Sequence, residues 1–216
     1  MRPIVVTVGP LVAANTSNIA TSQTPGAAGS LTLNGTLVTG GVATMDTPRR
    51  VLITTAAAIS FTITGTDWAG SPISEIVTNS SSSVQSVLSY KTVVAIANSA
   101  TAGGNAIIVG TNGVADSPWV RFDDYAFGPA AIQCTVSGTA NYTLWMTGDD
   151  PNSPTNPVNP NVMAWSTALS PMVETAATAQ AVIAAPFSWA KVTLNSGTGS
   201  VTSTFIQFLA SGATRH

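Results

Sequence analysis

Apolar and polar residues alternate along much of this chain with a period of two. Phe61 and Ile63 alternate with Thr62 and Thr64, and Ile132, Cys134 and Val136 alternate with Gln133 and Thr135. In an extended strand successive side chains point to opposite faces, so this spacing predicts strands with one buried face. Turn-forming residues interrupt the pattern about every ten positions, the rhythm of sandwiches and barrels. Helical periodicity is scarce. Glu174 to Ala185 is alanine-rich, but its Thr and Val content and lack of a charged face predict loop or strand.

In chain order, Ile4 to Val8 reads as a strand stopped by Gly9-Pro10. Asn15 to Ser30 is small and polar, and predicts an extended arm or loop. Asn34-Gly35, between Leu31-Thr32-Leu33 and Thr36-Leu37-Val38, is a strong hairpin signal. Strands are expected over Val51–Thr55, Ile59–Thr64, Ile73–Thr78, Val84–Ala97 and Ile107–Val109. Asp67-Trp68-Ala69-Gly70 should form a tight hairpin tip, and Ser80–Ser83 a loop. Further on, Ile132 to Val136, a Ser137-Gly138-Thr139 turn and Tyr142 to Leu144 make one strand–turn–strand device. Val192 to Phe205, turning at Asn195 to Gly199, looks like the same device used again. Asp149 to Pro160, rich in Pro and Asn, predicts an extended crossing between sheets.

The fold class expected is all-β, with two β-sandwich domains of Ig-like or jelly-roll-like kind. Residues 1–45 would form an N-terminal arm and hairpin, 46–115 the first sandwich and 116–216 the second. Residues 1–45 cannot build a core alone, so Ile4–Val8 should add to a sheet edge, of its own later domain or of a neighbouring subunit.

Composition sharpens this picture in one respect. Only 7% of the 216 residues are charged, against about 25% in ordinary soluble domains. A subunit packed against neighbours needs fewer surface charges than a free monomer, so a homo-oligomer is expected. A net charge of −2 without a basic cluster lacks the electrostatic footprint of a nucleic-acid binder. No apolar run approaches the roughly 20 residues of a membrane-spanning helix, and no convincing leader cleavage site follows the N-terminus, so a soluble, unprocessed chain is expected.

Candidate chemistry is sparse. The one histidine is His216, the last residue, and the one cysteine is Cys134. Neither a nucleophile–base pair nor a zinc ligand set can be assembled from these, so no catalytic, cofactor or metal residue is assigned. Asp67, Asp116, Asp123-Asp124 and Asp149-Asp150 read as turn formers. With Asn152, the last pair could offer three oxygens to calcium, short of the six such an ion takes. Thr101 to Asn105 is glycine-rich but precedes no helix, so it is no phosphate cradle. The segment Ser117 to Tyr125 concentrates aromatic and charged residues in a chain poor in both. Trp119, Arg121, Phe122, Asp123, Asp124 and Tyr125 are therefore the candidate interface. The same composition would suit a corner joining domains, with Trp119 and Phe122 in a core and Arg121 paired to an aspartate. Arg49-Arg50 reads as solvated or paired to Asp46.

Three phrases then carry a resemblance: Pro48 to Thr54, Phe61 to Glu75, and Ser89-Tyr90-Lys91-Thr92-Val93. A hairpin reading T-G-T-D-x-x-G-x-x-I-x-E ahead of an aromatic-Lys-Thr-Val strand resembles virion structural proteins of tailed, especially short-tailed, bacteriophages. Val192 to Gln207 is similar to terminal strands in such proteins. The resemblance runs from Asp46 onward and is most specific over Asp67 to Glu75. It implies a non-enzymatic component at the head–tail junction or tail, made in the host cytoplasm and located in the virion. Its partners would be other virion proteins: portal or adaptor, tail or capsid. Capsid decoration is the alternative within that class. A carbohydrate- or receptor-binding fibre module is the rival outside it, with five tryptophans to draw on.

Overall fold

The computed structural model describes residues 3–80, 82–123, 129–167, 170–184 and 187–207. These residues are all-β, in antiparallel sheets, with a 3-10 turn at Pro160–Val162 and no α-helix. The first ten strands are β1 (Ile4–Val8), β2 (Asn15–Gln23), β3 (Gly29–Ser30), β4 (Val38–Thr39), β5 (Val42–Thr54), β6 (Ser60–Thr66), β7 (Pro72–Thr78), β8 (Ser83–Gln85), β9 (Tyr90–Asn98) and β10 (Ile107–Asp116). They are followed by β11 (Val120–Arg121), β12 (Ala130–Ser137), β13 (Ala140–Thr147), β14 (Ser166–Thr167), β15 (Ala179–Ile183), β16 (Trp189–Gly197) and β17 (Ser200–Gln207). Two compact units result: Leu11–Ala115, and the chain up to Pro10 together with the chain from Asp116 on. The segment 1–45 is shared between the two units.

In the Leu11–Ala115 unit, β5 is the spine. Its first half pairs with β4 and β9, and its second half with β8 on one side and β10 on the other. The register shifts between Thr44 and Arg49, where the strand changes partners. The hairpin β6–β7 continues the sheet from β9. Inward positions of these strands form one core, including Met45, Ile53, Phe61, Ile63, Val93 and Ile96. Arg49 lies within this unit almost wholly buried. It donates to the Val12 carbonyl at 2.7 Å and faces Asp46 at 3.5 Å, while the Asp46 carboxylate accepts from the Val12 N–H at 2.8 Å. The pair thus holds both backbone groups of Val12, as the sequence expectation of an Arg–Asp46 pairing allows.

Two expectations for this unit are corrected. Asn15–Ser30 is not an arm: β2 pairs with β10 and β3 with β9. β2 buries only Asn18, Ile19 and Ala20 centrally, and the Asn18 side-chain amide donates to the Thr111 hydroxyl at 2.8 Å. Nor does Asn34-Gly35 join two strands. The Asn34 side chain accepts from the Thr21 N–H, and Gly35 packs its backbone onto Asn18, where a Cβ would come within 2.2 Å. The tight turn is instead Gly40-Gly41, both at positive φ, joining β4 to β5.

The Asp67 tip forms as expected. β6 and β7 pair antiparallel from Ser60↔Thr78 to Thr66↔Pro72. The Asp67 carboxylate accepts from the N–H groups of Ala69 and Ser71, both at 2.8 Å, and Gly70 has φ 84°. At the other end of the Asp67–Glu75 phrase, Glu75 accepts from the N–H groups of Val87 and Leu88. Val84–Ala97 is accordingly two strands, β8 and β9, with that anchored bend between them.

The second unit consists of two sheets, in the orders β1-β17-β12-β15 and β14-β13-β16 with β11 beside β16. The sheets close on one another through Ile132, Cys134, Val201 and Phe205 of the first and Tyr142, Leu144, Val192 and Leu194 of the second, all buried. β1 adds to β17 from Ile4↔Phe205 to Val8↔Val201, so the N-terminal strand belongs to its own later unit. The two strand–turn–strand devices are not hairpins. β12 and β17 pair in one sheet, and β13 and β16 pair in the other. Each turn carries the chain from sheet to sheet, and the two arches lie side by side.

Candidate functional site

The candidate segment begins where β10 ends. The Ser117 N–H donates to the Val192 carbonyl at 2.8 Å, and the Ser117 hydroxyl accepts from the Val192 N–H at 3.0 Å. β11 then pairs Val120 with Ala190 and Arg121 with Trp189. Alternation along β11 sends Val120 and Phe122 inward, both buried, with the Phe122 ring edge-on to Phe187 and Phe205 at 4.3 and 5.9 Å. Trp119 and Arg121 face the other way, and Trp119 is half-buried. Asp123 exchanges two backbone hydrogen bonds with the Gln207 side chain, both 2.8 Å, so that side chain closes the segment onto β17. Asp124 and Tyr125 lie outside the described residues, as does His216.

Trp119 is one member of a larger cluster. Its ring lies edge-on to Trp165 at 5.1 Å and to Trp189 at 6.3 Å. Lys191 sits over Trp165 at 4.7 Å from the ring centroid, and Arg121 over Trp189 at 5.9 Å. Both are within cation–π range. Lys191 also pairs with the buried Asp116 carboxylate at 2.7 Å, whose second oxygen accepts from the Thr193 hydroxyl at 2.6 Å. Trp145 stands opposite Lys191 across the β13–β16 ladder. Trp189, Lys191 and Thr193 alternate with the core residues Ala190, Val192 and Leu194. The cluster therefore lies on the face of this sheet turned away from the other sheet, with Trp189, Thr193 and Asp116 themselves buried in it.

Asp150 links the loop after β13 to the cluster. It accepts from the Trp189 indole N–H at 2.9 Å and the Asn152 N–H at 2.9 Å, and pairs with Arg121 at 3.1 Å. Burial works against ionisation of this carboxyl. The indole and backbone hydrogen bonds and the Arg121 charge outweigh it and hold Asp150 below the usual carboxylate range. Its neighbour Asp149 accepts from the Ala164 N–H at 2.6 Å. Both aspartates thus tie down the Pro- and Asn-rich loop. Among the described residues no three His, Cys, Asp or Glu side chains converge as a metal site. Burial pushes the Cys134 thiol up, with Ser203 as its 3.2 Å partner, so this cysteine sits in the core as a thiol.

The sequence singled out Trp119 and Arg121 but not Trp165, Trp189 or Lys191, and Asp116, read as a turn former, instead ends β10 as the buried partner of Lys191. The outward alternation Trp189-Lys191-Thr193 is the signal that could have found three of the cluster's positions. Trp165 carries none, because only the pairing of β14 with β13 brings it there.

The other sheet presents a contrasting face. Its outward residues, row by row, are Ile206, Ala131 and Val182; Val5, Thr204, Gln133 and Gln180; and Thr7, Thr202 and Thr135. None is charged. Val5 is 57% and Val182 67% exposed. A shallow groove of about 360 Å³ runs over this face between β12, β15 and β17. No helix among the described residues is long and apolar enough to cross a membrane. No protein-family model matches the chain, and no curated protein is similar to it in sequence.

Proposed function

We propose that this chain is a non-enzymatic structural subunit of a tailed-phage particle, assembling as an oligomer at the head–tail junction or tail. One observation supports this reading above the others: a whole sheet face, from Val5 to Val182, carries no charge and exposes aliphatic side chains at both margins. A free monomer gains solubility from charges on such a face. A subunit that covers it does not need them. The resemblance of Asp67 to Glu75 to phage virion proteins points the same way. In this structure that phrase is an anchored hairpin, with Asp67 closing its tip and Glu75 fixing the bend before β9. The carboxylates of Asp46, Asp67, Glu75, Asp116, Asp149 and Asp150 serve as backbone, side-chain and ion-pair anchors, a structural employment.

A second reading draws on Trp119, Trp145, Trp165 and Trp189, four of the five tryptophans on one outward face. Such a face suits a carbohydrate- or receptor-binding module if a ring is left flat and open. Here the rings meet edge to face and two carry a cation above them, which favours a packed structural cluster. The deciding experiment is a reconstruction of purified particles of the encoding virus. The structural reading expects this two-unit density at the neck or tail, in a copy number matching the local symmetry axis. Density spread over the capsid surface would instead identify a decoration protein. Absence from particles, with glycan binding by the purified chain, would support the receptor module.

A further inference from the structure

The uncharged sheet ends on two strands that pair on one side only. β1 pairs with β17 and β15 with β12, and among the described residues neither has a partner on its outer side. Each is five residues long, Ile-Val-Val-Thr-Val and Ala-Gln-Ala-Val-Ile, without a charge or a proline. Both pair with their neighbours over five consecutive residues without a bulge. Lysine, proline, bulges and short strands are the devices that keep sheet edges from pairing with other chains. Apart from being five residues long, these edges have none of them.

Direction decides how such edges can meet. All three ladders of the sheet are antiparallel, so with four strands β1 and β15 run in opposite directions. A second copy set beside the first without being turned over therefore offers β15 antiparallel to β1. It also continues the uncharged face on the same side, bringing Val182 of one copy to the margin occupied by Val5 of the other.

We propose that β1 of one copy pairs antiparallel with β15 of the next, extending this sheet head to tail through the oligomer. The proposal rests on the reading of the chain as an assembling subunit and names its contact. Two-fold pairing of β1 with β1 would satisfy one edge and leave both copies of β15 open. The head-to-tail contact satisfies both edges with one interface and closes into a ring when the rotation per subunit allows it.

The test uses full-length Val5→Cys and Val182→Cys chains with a short thiol-to-thiol bismaleimide, alone and mixed. Cys134 is buried and does not compete. Cross-linked dimer is expected in the mixture at least tenfold above either variant alone. Val5→Lys and Val182→Lys, both at exposed positions, should each keep wild-type circular dichroism and thermal midpoint, yet run as monomers in light-scattering chromatography. Equal cross-linking of Val5→Cys with itself would replace the proposal by two-fold pairing. Oligomers that persist in both lysine variants, without a mixed cross-link, would overturn the edge contact and leave the assembly reading standing. A wild-type chain that stays monomeric at every concentration would overturn both.

Discussion

The Gly199 amide donates a 2.7 Å hydrogen bond to the Thr139 carbonyl, joining the two arches that carry the chain between the sheets of the second unit. The arches approach so closely that a Cβ on Gly199 would lie 2.2 Å from the Ser137 carbonyl oxygen. That oxygen is backbone and cannot swing away as a side chain could. Gly199→Ala is therefore expected to cost about 2 kcal/mol or more of stability, in the range of overpacked core substitutions. Gly148→Ala, where a Cβ meets nothing within 4 Å, should stay within about 0.5 kcal/mol of wild type. Urea denaturation of the two variants makes the comparison, and equal midpoints would remove the arch contact from the account.

The arches also show where sequence reading stops. Alternation over Ile132–Val136 and Tyr142–Leu144 is the same whether a strand returns within its sheet or crosses to the facing one. Only the distant partners β17 and β16 decide between these. Signals confined to one turn were legible: Asp67 and Gly70 mark their hairpin because cap and positive φ lie within five residues. Asn34-Gly35 misleads because its glycine serves a close approach to Asn18, a contact the local sequence does not record. β2 escapes notice because a buried Asn18–Thr111 hydrogen bond stands where apolar alternation would have announced a strand. In the candidate cluster, Trp119 and Arg121 were visible as a local concentration. Their partners Trp165, Trp189 and Asp150 arrive from other strands and loops.

The Arg49–Asp46 clamp on Val12 gives a second prediction. Burial lowers the Arg49 pKa by more than the nearby Asp46 charge raises it, but a guanidinium stays protonated in proteins, so a charged group sits inside the first unit. Arg49→Met removes that charge, frees the Val12 carbonyl and leaves Asp46 facing an apolar side chain. Asp46 is open to solvent, so the loss is chiefly that of the charged hydrogen bond to the Val12 carbonyl, about 1.5–3 kcal/mol. Arg50→Met, a half-buried neighbour, should cost well under half as much. Thermal melts followed by circular dichroism would show this, and equal losses at the two positions would deny Arg49 its special place.

Asp150 supplies a pH prediction. Its folded-state pKa is depressed, so its contribution to stability is present above the ordinary carboxylate pKa near 4 and is lost as pH falls through the lower folded value. Protonation would weaken its bonds to the Trp189 indole and Arg121. The Trp189 part of the fluorescence, obtained by difference against Trp189→Phe, should change with a midpoint below pH 4. Asp150→Asn should abolish that transition and flatten the acid limb of the stability curve. A midpoint above the ordinary value would reverse the assignment.

The last prediction concerns the N-terminal strand, which the sequence expects to add to a sheet edge. The structure gives it a folding role as well. β1 contributes a five-residue ladder to β17, and Val8 is buried against the second unit's core, a burial worth about 1.5–3 kcal/mol for such a side chain. Deleting residues 1–8 strips β17 of one neighbour and uncovers Val201 and Phe205 at the sheet margin. The Leu11–Ala115 unit keeps its own ladders and its Arg49–Val12 clamp, since that clamp begins after the deletion. Hydrogen exchange should therefore accelerate across β12 and β17 while β5, β6 and β9 retain wild-type protection. Because the deletion disturbs folding, assembly is better tested by the point changes at Val5 and Val182. Unchanged exchange in β17 after truncation would mean that β1 is an accessory to this sheet, and uniform acceleration would mean that the two units do not unfold separately.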